Sequence, residues 1–320
     1  MPMVKKVFYI TLTLATLACR TDLLLGKVDG VAATIYAPNG RTPAYHAKVV
    51  VADVKPGGYY GEAVTSAGGY FALPAIPDGL YRADVTSPNG LFKSNFQAEV
   101  IDGYTSGGVE ALLAPARVGT FVNVPGRYDD SGTIFADLGY QYKTIGVETL
   151  AQNIDPLRDA DIVCLNSGVD TAWAQDETVI KSLRSFVEKG GRLIASDQAW
   201  PFVKAAWPGK ITWGTDPAIG QSYQDIAAPF VDADLKKYAT APEWQLRYDL
   251  GNWAVPAGTA GTVFVRGDVE TTSGKREDAP LLVGFAYGDG YVAFATFDWR
   301  TQYRHGRMAV RVFNYLITNK

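Results

Sequence analysis

The sequence predicts two folded units in tandem, an antiparallel β-sandwich followed by a doubly wound parallel α/β unit, and three observations lead there. Residues 26–114 alternate in short strand-like runs separated by Gly, Pro, Asn and Asp, with no apolar pattern of helix length. From Arg117 the grammar changes, and apolar runs of strand length alternate with amphipathic helical stretches. A chain of 320 residues is long enough to bury two such cores.

At the N-terminus, Lys5 and Lys6 precede an apolar run from Val7 to Ala18. That run is shorter than the roughly 20 residues a helix needs to cross a bilayer, so it reads as a secretory signal. Thr16-Leu17-Ala18-Cys19 resembles the lipobox of bacterial lipoproteins, with Thr16 where that family carries an aliphatic residue. The resemblance implies cleavage, lipidation of Cys19 and a membrane anchor through that lipid. Arg20 stands where an inner-membrane retention signal would place Asp, which leans the expectation towards the outer membrane. With Cys19 lipidated, Cys164 has no partner for an intrachain disulfide. A net charge of −3 and scattered lysines and arginines argue against nucleic acid and against a polybasic membrane patch.

Within residues 26–114, HAKVVVADV, GYFALPAI, LYRADVTS and FQAEVID read as strands of a sandwich of roughly seven. Gly68-Gly69 and Pro77-Asp78-Gly79 supply turns, and Phe71 and Leu73 share a face. Thr65, Gly69 with Phe71, and Gly79 with Tyr81 resemble, in this order, the signature of the carboxypeptidase regulatory-like, or prealbumin-like, domain. The resemblance implies a spacer or adhesive scaffold. His46, one of two histidines, reads as a surface or core residue rather than a ligand.

In residues 116–320, RVGTFVNVPG reads as a first strand, YDDSGTIFADLGY as a helix and QYKTIGVETL as a second strand. DADIVCLNSG is a third, apolar enough to be covered on both faces. Asp176 to Lys189 forms a helix with Val179, Leu183 and Phe186 on one stripe, stopped by Gly190 and Gly191. RLIASD is the fourth strand, and right-handed crossovers follow from the order. PLLVGFAYGDGYVAFATFDW reads as a hairpin turned at Gly288-Asp289-Gly290. RHGRMAVRVFNYLI closes the unit as a helix with His305 at its start. Between Trp200 and Pro280 lies an aromatic-rich insertion whose strands cannot be ordered by pattern, and its first part, WPFVKAAWPGKITWG, suggests a lid.

Ligands of open α/β sheets collect beyond the carboxyl ends of the strands. There the sequence places Asn166, Ser167, Asp170 and Trp173 after the third strand, and Ser196, Asp197 and Trp200 after the fourth. Asp298, Trp299 and Arg300 follow the hairpin. An acid beside an indole suits a carbohydrate, because the carboxylate accepts from hydroxyls while the ring covers the apolar sugar face. The expected ligand-binding set is therefore Asn166, Asp170, Trp173, Ser196, Asp197, Trp200, Asp298 and Trp299. Asp197 and Asp298 are also the candidate catalytic pair of a glycoside hydrolase, which needs carboxylates about 5–9.5 Å apart. The competing structural reading has Asp197 capping the next segment, Arg300 neutralising Asp298, and the tryptophans filling core gaps. Asp129 with Asp130, and Asp232 with Asp234, would suit calcium or magnesium, but such pairs are usually caps or solvated charge. No metal and no cofactor is expected.

The order DIVCLNSG, helix, EKGGRLIASD and a late hairpin ending in FATFDW resembles the class I glutamine amidotransferase-like superfamily, in its trehalose-utilisation-protein-like branch. The resemblance implies a flavodoxin-like sheet, a nucleophilic cysteine in a strained turn after the fourth strand, and a histidine from a later strand. Those positions fall at Ser196 or Asp197 and at or beside Asp298, so neither required residue is present. Cys164 lies inside the third strand as a small hydrophobe, and His305 is the unit's one histidine. The expectation is a cell-envelope lipoprotein without catalysis that binds a small polar ligand or glycan, or serves as a surface scaffold. The alternatives are a carbohydrate hydrolase using Asp197 and Asp298, and an envelope assembly component acting through protein contacts.

Overall fold

The computed structural model describes residues 28–320 except 56, 106–108, 117–120, 153–155 and 215–217. The expected signal segment, Cys19 and Arg20 lie outside the described residues. The chain is sheet-rich, with antiparallel and mixed sheets and few helices.

The first part builds two sheets. In the larger, Val28–Asp29, Tyr104–Thr105, Phe92–Ile101, Gly79–Thr86, Lys48–Asp53 and Tyr60–Val64 are neighbours in that order, and Ala114–Pro115 also pairs with Phe92–Ile101. Alternation decides which face is buried: Tyr81, Ala83 and Val85 point into the core while Leu80, Arg82 and Asp84 are exposed. The smaller sheet joins Tyr70–Leu73, Val31–Tyr36 and Val109–Leu112. Val31–Tyr36 runs parallel to Val109–Leu112, and Gly30 bridges Tyr104 in parallel, so the expected all-antiparallel pairing fails at these contacts. The motif residues have visible work. Thr65 Oγ1 donates to the Ala44 carbonyl at 2.6 Å and accepts from Ala47 N at 2.9 Å, tying a buried corner. Tyr81 OH donates to the Pro77 carbonyl at 2.6 Å and closes the turn before its own strand.

The second part is organised by a nine-stranded sheet. Tyr142–Thr144, Phe121–Val124, Ile162–Leu165, Arg192–Ser196 and Gly290–Ala295 are successive parallel neighbours. Gly274–Tyr287 and Thr262–Thr271 continue it antiparallel, followed by Ala218–Gly220 and Trp253–Val255. Both faces of the parallel part are covered. Phe121, Ile162, Cys164 and Ile194 face one apolar cluster, and Val122, Val163, Leu165 and Leu193 face another. This is why these strands read as unbroken apolar runs. The Glu177–Glu188 helix packs Val179, Leu183 and Phe186 inward, and Asp176 caps it by accepting from Thr178 N and Val179 N.

Three elements depart from expectation. QYKTIGVETL is extended only over Tyr142–Thr144, and Val147–Ala151 forms a 3₁₀ turn. The closing helix begins at Met308, because Gly306 at φ +154° breaks it from a preceding helix, Trp299–His305, so His305 ends a helix instead of starting one. The proposed lid is packing: Phe202, Val203 and Ala206 of the Trp200–Ala206 helix are buried, and Trp207 and Trp213 meet Phe285 and Phe294.

The two parts share one core. Tyr45 stacks on Tyr238 at 5.3 Å, and Phe92 meets Tyr140 at 5.4 Å. Tyr238 OH donates to the Pro43 carbonyl, and Asn89 Nδ2 donates to that of Ile317. Arg311 Nη2 donates to the Ala67 carbonyl. A buried apolar seam stitched by hydrogen bonds resists the relative motion that a short linker alone would permit.

Candidate functional site

Three carboxylates converge at the carboxyl ends of the parallel strands. Asp129 follows the Phe121–Val124 strand, Asp197 follows Arg192–Ser196, and Asp298 follows Gly290–Ala295. Ser196 lies directly opposite Ala295 across the parallel pair, so sheet register brings the last two loops side by side. Asp129 is 0% exposed, Asp197 2% and Asp298 7%, so none of the three is hydrated as a surface acid would be.

Asp129 is the best satisfied. Its Oδ2 accepts from Ser196 Oγ at 2.7 Å and Trp299 N at 3.0 Å, and its Oδ1 accepts from Arg300 N and Asp130 N, both at 2.9 Å. Burial still raises its pKa above the ordinary carboxylate value, against the pull of those donors. Ser196 Oγ also accepts from Ser167 N at 3.0 Å, and Ser167 Oγ donates to Asp197 Oδ2 at 2.9 Å. A chain of hydroxyls thus links the first acid to the second.

Asp197 has φ +42°, a left-handed conformation that costs a non-glycine residue of order 1–3 kcal/mol. Its Oδ1 and the Oδ1 of Asp298 are buried without a donor. The two carboxyls nevertheless bear on each other's ionisation, so they titrate as a pair. Burial, then the Asp298 charge, push Asp197 well above the carboxylate range. Burial, then the Asp129 charge, raise Asp298 to about 7. Tyr248, whose hydroxyl pairs with Thr296 Oγ1 at 2.7 Å, is also pushed up by burial and by these two acids.

Asp197 and Asp298 line a recess of about 10 Å³, bordered by Arg247, Tyr248, Trp253 and Thr301. It has room for no more than one water.

The remaining expected site residues are placed differently. Asn166 is buried, its Oδ1 accepting from Ser131 N and Oγ and its Nδ2 donating to Asn123 Oδ1 and the Val124 carbonyl. Exposed Asp170 accepts from Ala172 N and caps a 3₁₀ turn. Half-buried Trp173 packs on the apolar cluster around Val179. Half-buried Trp200 leans on Trp213 at 5.4 Å, under Lys204. Trp299 is fully buried against Phe297, Phe313 and Trp244. The indoles therefore do not join Asp197 and Asp298 on an open wall.

The competing structural details also shift. The Asp197 side chain accepts from Ser167 Oγ and caps no helix, and the Arg300 guanidinium donates through Nη2 to the Tyr128 carbonyl while its charge still favours ionised Asp298. Asp232 caps the Ala233–Ala239 helix through Leu235 N. Among the described residues, no group of three His, Cys, Asp or Glu side chains is disposed to hold a metal ion. Cys164 is buried and free, with its thiol pKa raised by burial. Tyr248 escaped the sequence reading because it sits in the unordered insertion, and Asp129 because an Asp-Asp pair before a helix reads as a cap.

No family model matches the sequence, and no curated protein matches it. Among solved structures, a cytoplasmic protein from Salmonella typhimurium is 14% identical, with a TM-score of 0.43 over 61% of this chain and 96% of its own. PurLQS from Thermotoga maritima is 13% identical, with a TM-score of 0.45 over 63% of this chain and 98% of its own. A β-galactosidase from Rahnella sp. R3 is 14% identical, with a TM-score of 0.37 over 56% of this chain and 25% of its own. At such TM-scores, neither activity nor compartment passes from these proteins to this chain.

Proposed function

We propose that this protein is a lipid-anchored scaffold and binding protein of the cell envelope without catalytic activity. In this reading, a prealbumin-like sandwich is joined rigidly to a flavodoxin-like unit of amidotransferase descent. The observation that carries the non-catalytic part is the closed acid pair. At the position where the resemblance implies a nucleophile, Asp197 is buried, its pKa is pushed up by burial and by the Asp298 charge, and the recess beside the two acids has room for one water. A carboxyl out of reach of substrate cannot act as a nucleophile.

One observation favours the hydrolase reading. Asp197 sits in a left-handed turn between a strand and a helix, the backbone strain often stored at reactive centres. Asp197→Asn separates the two. A scaffold keeps its fold and all binding, whereas a hydrolase loses turnover on glycan substrates while retaining affinity. The anchor is tested independently, since Cys19→Ser should abolish palmitate labelling and release the chain from the membrane fraction.

A further inference from the structure

The amino-terminal edge of the same sheet is built in the opposite way. A cavity of about 400 Å³ lies there, between Asn89 and Leu91 of the first part and Arg158, Asp161, Lys189, Arg192 and Asp289 of the second. Its size falls in the range of small-molecule sites, about 300–1,000 Å³. Phe186 gives it an apolar patch.

Three of the charges around it are unspent. Arg158 and Lys189 are exposed, and their side chains make no hydrogen bond or ion pair among the described residues. The Asp289 carboxylate is likewise unengaged. Arg158, Lys189 and Asp289 thus border one cavity without neutralising each other, while buried Asp161 in the same wall acts on Arg192, which leaves a gap for a molecule that is anionic at one end and rich in donors at the other. Arg192 is half-buried in the wall, with Nε and Nη1 bonded to the carbonyls of Lys320 and Gly190. Burial lowers its pKa to about 10 against the opposing pull of Asp161, and a bound anion would offset the remaining cost. Asn89 is already committed to Ile317 and Leu91, so it shapes the wall without offering polar groups.

We propose that this cavity binds a small acidic sugar, with its carboxylate among Arg158, Lys189 and Arg192 and its hydroxyls towards Asp289. Cations on a concave wall focus a field that the same residues on a flat surface would not, and a carboxylate forms charge-assisted hydrogen bonds with guanidinium and ammonium groups. This deepens the binding part of the proposed function and assigns it to the edge opposite the acid cluster.

The test is calorimetric titration of the detergent-solubilised full protein with glucuronic acid, glucose and inorganic phosphate. Glucuronic acid should bind at least about tenfold more tightly than glucose, and Arg158→Gln with Lys189→Gln should weaken it by about tenfold or more, ~1.4 kcal/mol. Asp289→Asn should weaken glucuronic acid but not phosphate, and Asp197→Asn should change neither. Absence of glucuronic acid binding at millimolar concentration, or binding that the double variant leaves intact, overturns the site. Phosphate binding as tight as glucuronic acid overturns the sugar and reduces the cavity to a general anion site. Circular dichroism of each variant guards against loss of fold, which is not expected for exposed side chains. If the cavity fails while Cys19-dependent anchoring and the inert Asp197→Asn variant hold, this assignment falls and the scaffold reading stands.

Discussion

The two edges of the parallel sheet use ionisable side chains in opposite ways. At the carboxyl edge, Asp129, Asp197 and Asp298 are buried beside one another and consume the protein's own donors. At the amino edge, Arg158, Lys189 and Asp289 stay hydrated and unpaired around an open cavity. Removing a charge from water costs several kcal/mol unless partners replace the water, so the first edge carries that burden on all three of its acids and the second on Arg192 and Asp161 but not on Arg158, Lys189 or Asp289. The architecture makes the carboxyl edge the default ligand site, but occupancy by the protein's own groups overrides that default.

The comparison breaks most readily at Asp129, which has the largest expected effect. Asp129→Ala strips partners from Ser196 Oγ and from the backbone donors of Trp299, Arg300 and Asp130. Leaving buried donors unsatisfied should cost about 3–5 kcal/mol. Urea unfolding should show the midpoint falling with an unchanged m-value. A loss below about 1 kcal/mol would mean that the acid cluster is not the closed network described here.

Next in size is Asp298→Asn, read as a function of pH. The folded pKa of Asp298 is raised from 3.8 to about 7, so between those values the native state holds more protons than the unfolded chain. The contribution of this group is therefore fully present below about pH 4 and is lost as pH rises through about 7. Asn cannot ionise, so the variant should lack this slope. It should be more stable than the parent at pH 8 by roughly 2–4 kcal/mol, with the difference shrinking towards pH 5. Parallel denaturant curves at the two pH values check it, and a constant difference would reject the raised pKa of Asp298.

Ser167→Ala is a smaller perturbation of the same edge. It removes the one donor to Asp197 Oδ2 while leaving the backbone bond from Ser167 N to Ser196 in place. A loss of about 1–2 kcal/mol is expected, larger at high pH where the acid pair carries more charge. Thermal unfolding at pH 5 and pH 8 measures both parts of that statement.

Much of this was legible in the sequence, and what was not has a common physical cause. The apolar runs around Val163 and Ile194, the Val179-Leu183-Phe186 stripe and the glycine turn at Gly288 each encode structure within a dozen residues. The same local signals put Asp197 and Asp298 just beyond strand ends. Burial is not local. Nothing near Trp299 in sequence distinguishes an indole packed on Phe313 and Trp244 from one lining a cleft. The insertion resisted ordering because its strands pair with distant segments, as Trp253–Val255 does with Ala218–Gly220. The cavity escaped for the same reason, since Asn89 and Arg192 meet only through the seam between the two parts.

Lys189→Gln is the smallest expected effect and the sharpest test of the contrast. Like Asp298→Asn it deletes one formal charge from one sheet edge, but it deletes a charge that water already solvates. Lys189 is exposed, follows the Glu177–Glu188 helix as its C-cap, and has no side-chain partner among the described residues. Its favourable interaction with the helix C-terminus is the one stabilising contribution to be lost, a few tenths of a kcal/mol on an exposed surface. Stability should therefore change by less than about 0.5 kcal/mol at both pH 5 and pH 8, with no difference in slope. A cost matching that of Ser167→Ala would show that Lys189 is held by the fold, and the amino edge would then be no freer to receive a ligand than the carboxyl edge. Stability unchanged and glucuronic acid affinity reduced would separate the two edges by what their charges serve, one the fold and the other a ligand.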